Sequence, residues 1–170
     1  DCASDQAVKL SELFADGKNS LAIYSLMFAP GDDAPCPMCT SLLDGLDGQA
    51  GHINDRMNFA VAAKASTMEL NDWAQQRGWN NLHLISSGGN SYNVDYFAED
   101  EDGNQWSMMN VFVKDAGAAV THSWGSELFL SPPEDGLHNR HVDQLWPLWN
   151  LFDLTPEGRG ADWYPGLNYT

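Results

Sequence analysis

Cys36-Pro37-Met38-Cys39 holds the residue types best suited to chemistry, two cysteines bracketing two residues directly after an apolar run, Leu21 to Phe28, that reads as a buried strand. A strand, a short loop and a Cys-X-X-Cys opening a helix is the construction of a dithiol redox site. At a helix N-terminus, free backbone N–H groups and the positive end of the helix dipole both favour a thiolate on Cys36. Pro37 suits the first helical position, where its missing N–H costs nothing. Cys39, about one turn on, falls on the same side of the helix and within reach of a disulfide with Cys36.

The same spacing also serves as half of a zinc site. Cys2 is the only other cysteine and there is no second CxxC, so a four-cysteine structural zinc site is excluded. Redox chemistry, metal binding and an incidental pair all stay open on spacing alone.

The elements that must position this pair come from a chain of 170 residues, 43% of them hydrophobic, which suits a single domain with a substantial core. A formal net charge of −16 argues against nucleic acid or an anionic membrane as partner, since either would repel it. No stretch approaches the length of apolar sequence that a membrane span needs, so a soluble protein is expected. Three cysteines are too few for a disulfide-stapled scaffold of this length. A redox CxxC works in reducing or oxidising surroundings; the cytoplasm is favoured over export. The sequence begins at Asp1 rather than methionine, and removal of a leader stays open.

Residues 1–17 form an extension with a short helical pattern ending at Gly17, and the loop 29–35 leads from the first strand to the cysteines. A helix is predicted from Cys36 to about Met57, on which Gly45, Gly48 and Gly51 suggest close approach to another backbone. Asn58 to Ala63 reads as a second buried strand. Ser66 caps a helix running to about Arg77 and stopped by Gly78, with Glu69 in capping-box register. Leu82 to Ser86 is a third strand, Ser87 to Asn93 a polar loop and Glu99 to Gln105 a solvated acidic turn. Met108 to Val113 and Ala118 to Trp124 make a hairpin, His138 to Asn150 a helix with a kink at Pro147, and the chain beyond Gly158 an extended surface coil, with residues 160–170 as the C-terminal tail. This order predicts an α/β fold with a central mixed β-sheet flanked by helices on both faces.

Several further segments carry a family resemblance over Leu21 to Arg159. They are Tyr24 with Met27-Phe28-Ala29-Pro30, the CxxC, Asp44-Gly45-Leu46-Asp47-Gly48, and His52-Ile53-Asn54 with Phe59-Ala60-Val61. Gly78-Trp79, Ser86-Ser87-Gly88 with Tyr92-Asn93-Val94-Asp95, and Asp153 to Arg159 follow in order. Together they resemble the uncharacterised thioredoxin-like family known as domain of unknown function 899. The resemblance implies a single thioredoxin-like domain over residues 1–170 and assigns no reaction. Two departures from better-known relatives narrow the expectation. Where thioredoxins carry a cis-proline, this chain offers Met108 or Met109, which weakens a role in general protein disulfide reduction. Where peroxiredoxins carry a threonine three residues before the reactive cysteine, it has Asp33, which argues against peroxide reduction.

In the predicted hairpin, Asn110 lies opposite His122 and Met108 opposite Trp124, at the end of the sheet near the CxxC. His122 is therefore a candidate base for Cys36 or a third metal ligand, against the plainer reading of a strand histidine without a role. Pro37, Met38, Met108, Met109 and Trp124 are candidate pocket residues, and the methionines, Met27 included, would suit a soft metal if they are not simply core. His138 and His141, at i,i+3 spacing, read as surface residues. Asn93 and Asp95 are candidates to orient the site through hydrogen bonds, or parts of a simple turn network. The leading expectation is a thiol–disulfide oxidoreductase in which Cys36 attacks and Cys39 resolves, acting on a protein or small-molecule thiol or disulfide and needing no cofactor. The alternatives are Cu(I) or Zn(II) held by Cys36, Cys39 and His122, and a non-catalytic binding module of the same fold.

Overall fold

The computed structural model describes residues 1–126, 146–160 and 163–169. A 3₁₀ turn at Leu10–Leu13 precedes β1 (Ser20–Ser25), α1 (Pro37–Arg56), β2 (Asn58–Ala63), α2 (Thr67–Arg77) and β3 (Leu84–Ser86). These are followed by α3 (Tyr92–Asp95), β4 (Met108–Lys114), β5 (Val120–Gly125) and α4 (Pro147–Phe152). The five strands form one mixed sheet in the order β3-β2-β1-β4-β5. β1, β2 and β3 pair in parallel, whereas β4 runs antiparallel to both β1 and β5. Fold class thus follows the α/β expectation, and the order is consistent with a thioredoxin-like arrangement.

Strand alternation divides the core into two layers. Ala22, Tyr24, Phe59, Val61 and Met109 point to the face covered by Cys39, Leu42, Leu43 and Leu46 of α1, by Leu70 and Trp73 of α2, and by Trp146 and Trp149. Leu21, Ile23, Ala60, Ala62 and Phe112 point to the other face, under Leu13, Phe14, Tyr92 and Tyr96. Among the described residues the three longer helices therefore cover one face, and the second carries single-turn elements. Every residue of β2 is buried, as a central parallel strand requires.

The segment that matters most leaves the sheet early. β1 ends at Ser25 rather than Phe28; Leu26 N–H still bonds the Ala62 carbonyl at 2.8 Å, but Phe28 N–H turns to the Gln105 side chain at 3.1 Å. The loop is then pinned by Ala29 N–H on Asp32 (2.9 Å) and Gly31 N–H on Glu69 (2.8 Å). Cys36 N–H returns to the Met27 carbonyl at 3.0 Å, which fixes where α1 begins.

Other expectations change. A Cβ built on Gly45, Gly48 or Gly51 would meet nothing within 4 Å, so these glycines face open space and no backbone approaches them. Tyr92–Asp95 forms a helical turn inside a segment expected to be loop. Pro147 opens α4 instead of kinking a longer helix; residues 138–145 lie outside the described part. The tail is not free coil, because Arg159 is buried and Leu167 packs against the main core. Among the described residues no helix is long and apolar enough to cross a membrane.

Candidate dithiol site

Cys36 is the N-cap of α1, with extended-type backbone (φ −51°, ψ 126°), and Pro37 takes the first helical position. The Cys36 carbonyl accepts the Thr40 N–H at 3.0 Å and the Thr40 hydroxyl at 3.1 Å, so the first turn is closed from both sides. Three residues on, Cys39 is fully buried while Cys36 is half-buried. Both stand as free thiols.

Their ionisation is strongly asymmetric. The Cys39 thiol, donating to the Cys36 sulfur, lowers the Cys36 pKa from 9.0 to about 6, helped by the backbone N–H groups of Cys39 and Met38 and opposed by partial burial. Those N–H groups are the unpaired donors that a helix start provides. Burial pushes Cys39 well above the ordinary thiol value, and its bond to Cys36 and the nearby Cys36 charge push the same way. One sulfur is thus a ready thiolate at neutral pH and the other a protonated thiol held beside it.

A third polar group faces this pair from β1. Tyr24 is fully buried, and its hydroxyl lies close enough to Cys39 and Ser107 to influence ionisation, yet it makes no hydrogen bond of normal geometry, and neither does Ser107 Oγ. Ser107 reaches it through the sheet register. Tyr24 pairs with Met109 and Ser25 with Met108, so Ser107, two residues before Met109, shares the Tyr24 face. Leaving a buried hydroxyl without a partner costs about 1–3 kcal/mol. Tyr24 was not among the residues expected beside the dithiol; the available signal was a phenol in the buried strand Leu21-Ala22-Ile23-Tyr24.

His122 is not brought to the cysteines. The hairpin loop is longer than expected, so Lys114 pairs with Val120 and Phe112 with His122. Ser123 is then an unpaired bulge residue, and Val111 pairs with Trp124. His122 contacts the Phe112 and Tyr96 rings at 5.2 and 5.4 Å and bonds Asn110 Oδ1 at 2.9 Å. These partners lie on the sheet face opposite Cys39. Position and face both differ from the expectation: opposite Phe112, which itself pairs with Leu21, His122 sits toward the hairpin turn rather than at the Ser25 end that leads to the cysteines, and it lies on the other face. Cys36, Cys39 and His122 therefore do not fit a shared metal, and among the described residues no three His, Cys, Asp or Glu side chains are placed to hold one. His138 and His141 lie outside the described residues.

The remaining candidates divide. Pro37 is exposed and Met38 half-buried beside Cys36. Met108 and Met109 are buried core residues and present no surface to a partner. Trp124, 40% exposed, sits opposite Val111 on the cysteine face. Asn93 accepts the Ser87 hydroxyl at 2.6 Å and ties down Ala98 and Glu99 through its carbonyl. Asp95 accepts from Ser91 at 2.5 Å, so both belong to a turn network. Asp100 accepts N–H groups of Asp102 and Asn104 in the acidic turn, as a solvated turn would.

A family model described as a bacterial protein of unknown function, DUF899, matches residues 3–169. The chain belongs to that family. DUF899 assigns no activity, so the reading of the dithiol rests on its own geometry. No curated protein matches the chain.

Proposed function

We propose that the protein is a thioredoxin-like thiol–disulfide oxidoreductase. One observation carries this reading: the pair is split into a half-exposed thiolate at a helix N-cap and a buried neutral thiol one turn behind it. A thiolate attacks a disulfide, and a second thiol held against it expels the bound partner. In the forward cycle Cys36 displaces one sulfur of a substrate disulfide, giving a mixed disulfide and a free thiol. Cys39 then attacks Cys36, closing the intramolecular disulfide and releasing the second thiol. The dithiol carries both electrons, so no organic cofactor is required. The partner is a protein or small-molecule disulfide, or a thiol in the reverse direction.

Trapping tests this division of labour. Cys39→Ser should accumulate a stable mixed disulfide on Cys36 with an added small disulfide, seen by intact-mass spectrometry, whereas Cys36→Ser should accumulate none. Equal labelling of both variants would contradict the assignment.

A further inference from the structure

Tyr24 and Ser107 are the buried groups that the dithiol cycle above leaves without a task. Both side chains are fully buried, both hydroxyls lack a hydrogen-bond partner in the dithiol form, and Tyr24 lies on β1 while Ser107 directly precedes the antiparallel neighbour β4, on the face that Cys39 occupies. Ser107 influences the ionisation of the Tyr24 hydroxyl and Tyr24 that of Cys39, so the phenol links the serine to the sulfur. Cys36 needs no such help, because the Cys39 thiol donates to it and the backbone N–H groups of the helix start add to that.

We propose that Ser107 and Tyr24 form a hydroxyl relay that closes onto Cys39 when its sulfur becomes negative, and so governs the resolving step. The proposal rests on the oxidoreductase reading and adds a positioning role to it. In that step the Cys39–Cys36 sulfur bond forms and the bond from Cys36 to the partner sulfur breaks. The Cys39 proton leaves with the departing sulfur, or to solvent when that sulfur is a stable thiolate. The two cysteines are oxidised and the partner is reduced. Charge that appears on a sulfur sealed from water has to be met by fixed donors. The Met27 N–H already faces Cys39, and the Tyr24 O–H is the side-chain donor facing it. Burial also holds the phenol protonated far above neutral pH, which keeps it a donor. Ser107, donating to the phenol oxygen, strengthens the Tyr24 donor in turn.

Reaction of the whole reduced protein with 5,5′-dithiobis(2-nitrobenzoate) in a stopped-flow instrument reads the two steps separately. The first release of the coloured thiolate reports Cys36 attack, and the second reports Cys39. This leaving group departs as a thiolate, so the pH profile of the second release follows ionisation of Cys39. Tyr24→Phe should leave the first release unchanged, slow the second about tenfold at neutral pH and move its profile upward by about one pH unit. Ser107→Ala should do the same more weakly, and it carries the test alone if Tyr24→Phe does not fold. An unchanged second release, or equal slowing of both, overturns the relay. A wild-type protein that gives no second release sinks the oxidoreductase reading itself.

Discussion

Cys36 owes its low pKa chiefly to a single neighbour, the Cys39 thiol, and only secondarily to the helix start. Alkylation of the reduced protein by iodoacetamide should therefore be half-maximal near pH 6, and Cys39→Ala should move that midpoint up toward 9.0. The shift also has a stability consequence. Cys36 is ionised in the fold above about 6 but stays protonated in the unfolded chain up to its ordinary value of 9.0. Its contribution is fully present above 9.0 and is lost as pH falls through 6. Denaturant melts of the reduced protein should show stability rising across that window, by at most about 1.4 kcal/mol per pH unit, and Cys36→Ser should flatten the rise. Spacing alone made the placement of the two cysteines legible, because a CxxC opening a helix leaves one sulfur at the tip and buries the other. The role of His122 was not legible. A bulge at Ser123 and a longer turn set its register, and strand alternation puts it on the far face from Cys39.

Helices and strands with strong local signals were read from sequence almost to the residue. β2 and α2 match their expected bounds because a continuous apolar run marks the first, while a capping box and Gly78 at φ 75° punctuate the second. The glycines of α1 show where local composition misleads, since spacing at every third residue suggested a packed seam and the fold leaves that face in water. Gly45→Ala, Gly48→Ala and Gly51→Ala should each raise stability by about 0.4–1 kcal/mol in thermal or denaturant melts. Gly88→Ala should do the opposite, because its Cβ would clash with the Lys64 carbonyl oxygen. Equal effects at all four positions would contradict this division. The hairpin lost its predicted register because Asp115 accepts both the Gly117 and Ala119 N–H groups, holding a longer loop than Lys114-Asp115-Ala116-Gly117 implied.

Across the whole molecule, the C-terminal segment completes the core layer that holds Cys39. Trp146 and Trp149 are buried there, Arg159 lies over the Trp149 ring at 5.5 Å, and its guanidinium bonds Asp153 at 2.7 and 2.8 Å. Sequence reading took the residues beyond Gly158 as surface coil, because polar and glycine-rich stretches carry no periodicity to announce packing. A buried arginine stacked on an indole contributes through area as well as charge. Arg159→Met should cost about 1–2 kcal/mol in denaturant melts, and a loss below the error of measurement would mean the segment does not seal the core. The acidic balance of 24 carboxylates against 8 basic residues bears on solubility and partner charge rather than on the fold.

The most direct measurement is a redox titration of the Cys36–Cys39 pair. The protein is equilibrated across thiol–disulfide buffers, its free thiols are then alkylated, and the state of each cysteine is assigned by peptide mass. A single two-electron transition linking Cys36 to Cys39, with a midpoint between about −270 and −120 mV, is the expected result. Two cysteines that remain thiols throughout that range, or a disulfide that forms to Cys2 instead, would contradict it.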